Sequence, residues 1–236
     1  MSALCEVRVF SRQYRFAGSL DVLGLWRGAG ALVDYKTGAP NDVAADLQTA
    51  AYLGALLEMQ ANGDTPEMLT FEPEAHRYTL HRGATARREE EAEAILLPSV
   101  TGVLQASGLI DFSRIPPTIL RDARDRGGAV HQAVHYFNEG DLDVESFRAD
   151  FPAYAPYLDA WLRFRQDSGF ELATSWEALG DLSHLKRYAI RLKKDGTYAV
   201  EAYTKSRDYR EFLTLLCALQ IRSARKGTWI EMAEDL

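Results

Sequence analysis

Alternating apolar and polar positions near the start of the chain predict consecutive β-strands. Residues 4–16 alternate loosely and are rich in Val, Phe and Tyr, a composition typical of a strand. Two apolar stretches follow, at about 19–26 and 30–36, and Arg27-Gly28-Ala29-Gly30 joins them. The pattern therefore predicts one strand followed by a hairpin.

Apolar residues at helical spacing predict the helices of the chain. The first of these segments is rich in strong helix formers, and Asn41 or Asp42 can cap it. The predicted helices span residues 42–60, 97–110, 117–140 with a break at Gly127-Gly128, 154–169 and 207–226.

Three further segments have strand character, and one is strongly charged. Residues 68–80 indicate a short hairpin, 170–179 a strand, and 184–204 a hairpin that turns at Asp195-Gly196. Residues 84–94 favour a solvated helix or loop. Together the segments predict a mixed α/β (α+β) fold, in which a mostly antiparallel sheet is flanked by helices.

Composition narrows the classes of protein to consider. The 236 residues are 47% hydrophobic and 26% charged, which is ordinary for a globular chain that can bury a sizeable core. The net charge of −7 argues against a basic surface overall, so a nucleic-acid partner would need a local basic groove or a bound metal. Cys5 and Cys217 fit neither a zinc cluster nor a disulfide scaffold, and no apolar run is long enough for a membrane span. We therefore expect a cytoplasmic protein with no membrane partner.

The predicted hairpin carries charged residues where apolar ones would pack better. Asp34 and Lys36 are two residues apart on one strand and so project to the same face, away from Tyr35. A short turn can bring Asp21, on the preceding strand, opposite Asp34. Two neighbouring carboxylates repel each other, and a divalent cation such as Mg²⁺ or Mn²⁺ removes that penalty. The alternative is an exposed Asp34–Lys36 ion pair on a strand edge.

Four short motifs resemble the PD-(D/E)-x-K nuclease superfamily, in its branch of RecB-type and phage-exonuclease-type nucleases. Residues 18–21 (GSLD) resemble the G-x-x-D motif, and residues 33–38 (VDYKTG) resemble D-x-K-T-G. Gln48 and Tyr52 match Q-x-x-x-Y, while residues 126–131 (RGGAVH) match R-G-x-x-x-H. Any one of these motifs alone is a weak signal, but four in one chain are specific.

The resemblance implies a role for each matching residue. Asp21, Asp34, the Tyr35 carbonyl and His131 would bind the metal, and Lys36 would be the catalytic lysine. Glu6 matches a glutamate often found on the preceding strand, where it would bind a second ion or a water. The alternative ligand to His131 is His135, one helical turn further on.

The motif helix residues Gln48 and Tyr52 are one turn apart on a single helix face. By resemblance they belong to the catalytic set and would hold the active-site loop or contact the DNA. Ordinary helix packing is the alternative interpretation.

The order of the segments departs from the family pattern. In the family the R-G-x-x-x-H helix precedes the two aspartate strands, whereas here it follows them by about a hundred residues. Moving residues 1–66 to a point after Glu177 restores the family order. We expect a single nuclease domain, 1–236, with a restriction-endonuclease-like core and surface junctions near 64–68 and 177–183. Its parts are 1–66 with the D…D-x-K and Q-x-x-x-Y motifs, 68–177 with R-G-x-x-x-H, and 184–226 with a hairpin and closing helix.

The resemblance therefore predicts a metal-dependent deoxyribonuclease that uses Mg²⁺ or Mn²⁺. An exonuclease of phage or recombination and repair type is expected, acting on linear or single-stranded DNA with a helicase or recombination partner. The alternatives are an inactive DNA-binding or assembly module on the same fold, a hydrolase of small phosphate esters, and an interaction protein with an accidental ion pair. The predicted DNA contacts are Gln48, Tyr52 and the basic residues Arg121, Arg124, Arg126, Lys186, Arg187, Arg191, Lys193 and Lys194. Several of the basic residues could equally be solvated surface charges.

Overall fold

A computed structural model of the 236-residue chain shows an α+β protein with a mixed, mostly antiparallel sheet flanked by helices, as the sequence predicts. The structure describes residues 3–39, 41–73, 75–81, 94–205 and 208–226. Most of the charged segment 84–94 lies outside the described residues.

The first three strands lie close to their predicted positions. They are β1 (Cys5–Ser11), β2 (Phe16–Trp26) and β3 (Ala29–Lys36). The prediction of one strand over 4–16 was wrong at its end, because the chain turns after Ser11. Arg15 takes a positive φ of 56° and donates its N–H to the Ser11 carbonyl, which closes this turn.

A small second sheet follows. Strands β4 (Leu69–Glu72) and β5 (Arg77–Leu80) form the predicted hairpin, and β6 (Ile95–Leu97) pairs antiparallel with β5. No strand was predicted for β6, and only its last residue, Leu97, fell within the helix predicted over 97–110.

The larger sheet is completed late in the chain. Its remaining strands are β7 (Glu171–Leu172), β8 (Lys186–Leu192) and β9 (Tyr198–Tyr203), in the order β1-β2-β3-β8-β9 with β7 beside β2. Strand β8 runs parallel to β3, whereas β9 turns back antiparallel through Gly196, whose φ is +74°. The strand predicted over 170–179 is shorter than expected, since Glu177–Leu179 forms a 3-10 turn.

The helices match their predicted segments with three differences. The helix predicted over 97–110 is shorter and covers only Val100–Ala106. The helix through Gly127-Gly128 is continuous, because a glycine weakens a helix without necessarily breaking it. A short helix that was not predicted begins after Asp143, whose carboxylate accepts two main-chain N–H bonds as its cap. The helices are α1 (Asp42–Asn62), α2 (Val100–Ala106), α3 (Pro117–Glu139), α4 (Val144–Asp150), α5 (Ala155–Ser168) and α6 (Asp208–Lys226).

None of the helices in the described part of the chain combines the length and the apolar character that crossing a membrane requires.

The chain forms two compact units, each assembled from three stretches of sequence. The first comprises Met1–Glu6, Asp21–Asn41 and Phe112–Thr204, and the second comprises Val7–Leu20, Asp42–Asp111 and Lys205–Leu236. In the second unit α1, α2 and α6 pack together, and the ring centroids of Phe16 and Phe212 lie 5.0 Å apart.

In the first unit, alternation along the strands separates an apolar face from a charged one. Val33 and Tyr35 of β3 join a buried core with Ile190 of β8 and residues of α3 and α5, such as Trp161. Asp34 and Lys36 point to the opposite face of the same strand. The predicted charged positions therefore lie on a sheet that is anchored by its other side.

Candidate metal centre

The centre begins where the pairing of β2 with β3 ends. The paired register reaches Val22 and Val33, and both strands continue beyond it. One step further, Asp21 turns its Oδ2 to accept the Tyr35 main-chain N–H at 2.7 Å. The Asp21 side chain thus pairs with the Tyr35 backbone donor where the strand pairing ends. This hydrogen bond holds the Asp21 carboxylate in a fixed position.

Two residues from other elements meet Asp21. His131 Nδ1 lies 3.7 Å from Asp21 Oδ1 and 3.8 Å from Glu6 Oε1. One potential ligand atom from each of the three residues lies within 4.8 Å of the other two. Glu6 comes from β1, Asp21 from β2 and His131 from the middle of α3, so segments more than a hundred residues apart form this cluster.

Ring packing and a hydrogen bond, both from Tyr35, position the His131 and Glu6 side chains. The His131 ring packs on the Tyr35 ring at 4.4 Å between centroids, and the Tyr35 hydroxyl donates to Glu6 Oε1 at 3.4 Å. Glu6 itself has a φ of 50°, a left-handed conformation that non-glycine residues rarely adopt. Such strain concentrates at functional sites, because the surrounding structure must enforce it.

Burial divides the centre into a closed side and an open side. Asp21 and Asp34 are only 5% and 1% exposed. The side chains of Glu6 and His131, in contrast, are 37% and 34% exposed. The centre is therefore closed towards the sheet and open to solvent at Glu6 and His131, where a ligand can approach.

The D-x-K residues form an ion pair next to this cluster. Lys36 Nζ donates to Asp34 Oδ1 at 3.0 Å and lies 2.8 Å from Oδ2. Asp34 Oδ2 is buried and receives no well-aligned hydrogen bond. Asp34 is not part of the three-residue cluster. Within the described residues, the structure thus brings Glu6, Asp21 and His131 together and pairs Asp34 with Lys36.

Burial and neighbouring charges shift the titration of these groups. Burial raises the pKa of Asp21 from 3.8 to about 8, against the attraction of His131, and the nearby Asp34 and Glu6 carboxylates raise it further. Burial opposes the charged form of His131, but Asp21 and Glu6 outweigh it and raise its pKa. Burial also disfavours the Lys36 ammonium, yet Asp34 and Asp21 raise its pKa, so the ammonium form persists.

The donor set fits a divalent cation. Glu6 and Asp21 bring two carboxylates to the cluster, and Asp34, outside it, is already paired with the Lys36 cation. Carboxylate oxygens with one imidazole suit Mn²⁺ or Mg²⁺. The raised pKa of Asp21 indicates that burial disfavours its charged form in the metal-free protein, a cost that a bound cation would offset.

The predicted residues Gln48 and Tyr52 both lie on α1, in the second unit. Gln48 Nε2 donates to the Tyr52 hydroxyl at 2.7 Å, across one turn of α1. The Tyr52 ring lies so close to Gly18 that a Cβ there would come within 2.5 Å of Tyr52 Cε1. The close packing of Tyr52, the tyrosine of the Q-x-x-x-Y motif, therefore leaves no room for a side chain at Gly18 of the GSLD motif.

The predicted DNA-contacting cations occupy different environments. The guanidinium of Arg126 lies 5.6 Å above the Tyr157 ring, and its buried Nε has no hydrogen-bond partner. Lys186 is exposed, whereas Arg187 is 7% exposed. Arg191, expected to contact DNA, forms an internal ion pair instead. The remaining predicted contacts, Arg121, Arg124, Lys193 and Lys194, are exposed.

His135, one turn beyond His131, has a buried Nδ1 without a hydrogen-bond partner and does not join the three-residue cluster.

Sequence reasoning did not single out Glu201, the partner of Arg191. The signal was present, because alternation about the Asp195-Gly196 turn predicts that Arg191 and Glu201 project from one face of the hairpin.

Comparison with known proteins found no matching family model, no matching curated protein and no matching solved structure.

Proposed function

We propose that this protein is a Mg²⁺- or Mn²⁺-dependent nuclease that hydrolyses phosphodiester bonds of DNA, built on a restriction-endonuclease-like core. The observation that carries the proposal is the convergence of Glu6, Asp21 and His131 within 4.8 Å. The Asp34–Lys36 pair on the adjoining strand, with its carboxylate buried and its ammonium partly exposed, adds a cation that can stabilise charge on a phosphate.

The sheet supports the proposal because it places each of these groups on a rigid element. Strand β3, which carries Asp34 and Lys36, is hydrogen-bonded to β2 on one side and to β8 on the other. Its apolar face is fixed to α3, the helix that carries His131. Groups on central strands hold their geometry better than groups on loops.

The proposed mechanism assigns one task to each residue. A divalent ion bound by Glu6, Asp21 and His131 would polarise the phosphate and lower the pKa of the attacking water. Lys36 keeps its positive charge and stabilises the negative charge that develops on the phosphate. Asp34 holds the Lys36 ammonium in position by its ion pair.

The open side of the centre supports a polymeric substrate over a small enclosed one. The exposed edges of Glu6 and His131 leave the centre accessible to a phosphate that belongs to a long chain. Arg126 on α3 and Lys186 on β8 are proposed phosphate contacts. Binding through such contacts weakens as salt increases.

The test is a cleavage assay on end-labelled linear DNA and on circular DNA, with Mg²⁺, Mn²⁺ or a chelator. Wild type should degrade linear DNA only when metal is present, and intact circles would identify an exonuclease. Asp34→Ala and Lys36→Ala should lose about 10³-fold in rate, or close to 4 kcal/mol of transition-state stabilisation. The exposed residues Asp150 and Arg163 provide matched controls, because Asp150→Asn and Arg163→Ala should keep full activity.

Equal cleavage by wild type and both site variants would refute the assignment. Metal-stabilised DNA binding without cleavage would instead indicate an inactive binding or assembly module. We also propose a helicase or recombination partner and a cytoplasmic location for such a nuclease. A single-stranded substrate added to the assay tests strand preference.

A further inference from the structure

A second charged pair lies directly beside Lys36 on the same face of the sheet. In the parallel register of β3 and β8, Lys36 pairs with Arg191. Arg191 donates Nε and Nη2 to Glu201 Oε1 at 3.0 and 2.8 Å, and Nη2 also reaches Oε2 at 3.0 Å. The Tyr203 hydroxyl also donates a hydrogen bond of 2.8 Å to Glu201 Oε2.

The third arm of the guanidinium reaches the chain that leaves β3. Arg191 Nη1 donates to the Gly38 carbonyl at 3.1 Å. Gly38 ends the D-x-K-T-G motif, two residues after Lys36. The Arg191 side chain is 9% exposed and that of Glu201 is 23% exposed, so the pair is largely shielded from solvent. A guanidinium with all three arms engaged inside the protein is poorly placed to grip a DNA phosphate.

We propose that Arg191, held by Glu201, is a positioning residue that fixes the Thr37-Gly38 exit of β3 and thereby the direction of the Lys36 side chain. The inference deepens the proposed nuclease function and rests on it. Lysine carries its ammonium on a flexible four-carbon stem, so its placement depends on the main chain and on its partners. An error of about 1 Å at a reacting group can cost about a hundredfold in rate.

The experiment compares Arg191→Lys and Glu201→Gln with wild type in steady-state cleavage. Arg191→Lys keeps the charge but loses the planar fork, so kcat should fall about ten- to a hundredfold. KM for DNA and the affinity for Mn²⁺ should stay within about twofold, because neither group touches DNA or metal in this account. Circular dichroism and thermal melting establish that each variant is folded.

The double variant tests whether Glu201 acts through Arg191. Glu201→Gln should add nothing in the Arg191→Lys background, because the pair acts as one unit. A raised KM with a weaker salt dependence and unchanged kcat would overturn the inference and make Arg191 a DNA contact.

A readout without cleavage separates this inference from the nuclease proposal. Amide hydrogen exchange at Thr37 and Gly38 in the metal-free protein should speed up in Arg191→Lys and stay unchanged in the exposed control Arg163→Ala. Unchanged exchange in Arg191→Lys would contradict the positioning role even if wild type proves to be an active nuclease. Faster exchange with no wild-type cleavage would contradict the nuclease proposal alone.

Discussion

Two aspartates of the first unit, Asp143 and Asp21, show what burial does to the same side chain. Asp143 is exposed at the start of α4, where hydrogen bonds from Ser146 and Glu145 lower its pKa. Asp21 is buried at the end of a strand pairing, and its pKa rises to about 8. The first carboxylate stabilises a helix, and the second lowers the stability of the metal-free protein whenever it is charged.

The difference indicates which acids serve the fold and which serve chemistry. Capping acids at helix starts and turns, such as Asp143, Asp181 and Asp195, have lowered pKa values caused by hydrogen bonds. Asp21 also accepts a backbone hydrogen bond, but burial raises its pKa, and a buried acid with a raised pKa beside an imidazole is typical of a functional site. We therefore assign Asp21 to the candidate metal centre on the basis of its environment as well as its motif.

The largest expected effect comes from Asp21→Asn. Loss of one carboxylate ligand should reduce metal-dependent cleavage about 10³-fold. The same change should stabilise the metal-free protein above neutral pH by about 1–3 kcal/mol, because the amide oxygen can still accept the Tyr35 N–H without a buried charge. Denaturant unfolding measures the second effect. Full activity, or a loss of stability, in this variant would break the comparison with Asp143.

Metal should stabilise the protein most when the ligands are deprotonated. Addition of Mn²⁺ at a hundred times its Kd should stabilise the native state by about 2.7 kcal/mol. The shift in melting temperature should be larger at pH 8 than at pH 6, because Asp21 and His131 must release protons to bind metal. Asp143→Ala should show the same metal-induced shift. An equal shift in Asp21→Asn would contradict the assignment.

Stability of the metal-free protein should depend on pH in opposite ways for the two kinds of acid. The pKa of Asp21 is raised from 3.8, so its contribution to stability is complete below that value and is lost as pH rises towards about 8. The pKa of His131 is raised from 6.5, so its contribution is complete below that value and is lost as pH rises through the raised pKa. Asp143, Asp181 and Asp195 have lowered values, so their stabilisation is lost as pH falls below 3.8. The melting temperature should therefore be highest in mild acid. Asp21→Asn should reduce the fall in melting temperature at alkaline pH and leave the fall at acid pH unchanged.

The smallest expected effect is a difference in thiol reactivity. Burial raises the pKa of Cys5, the neighbour of Glu6, to about 12, although Asn138 donates a hydrogen bond to its sulfur. Cys217 is exposed on α6. Alkylation at pH 8, followed by peptide mass spectrometry, should modify Cys217 about tenfold faster or more. Equal rates would show that the chain around Glu6 is more open than described.

Most strands and helices were predictable because their signals are local. The hairpin turn at Asp195-Gly196, the serine cap of α2 at Ser99 and the glycine that ends α3 all act within a few residues. The turn after Ser11 was missed because aromatic and apolar residues continue on both sides of it. The unbroken helix through Gly127-Gly128 shows tertiary packing outweighing a weak local preference.

The sequence predicted which residues belong to the candidate site, but not which of them contact each other. Motif spacing identified Asp21, Asp34, Lys36 and His131, but no local pattern specifies that Glu6 joins Asp21 and His131 while Asp34 pairs with Lys36. That division depends on the register of β2 with β3 and on the strained backbone at Glu6. The internal role of Arg191 depends likewise on a long-range contact with Gly38.

Anomalous scattering from crystals of the wild-type protein grown with Mn²⁺ tests the central claim most directly. The account predicts a manganese peak bounded by Glu6, Asp21 and His131, which disappears in crystals of Asp21→Asn. A protein that binds no manganese there, or binds it equally well without the Asp21 carboxylate, would contradict it.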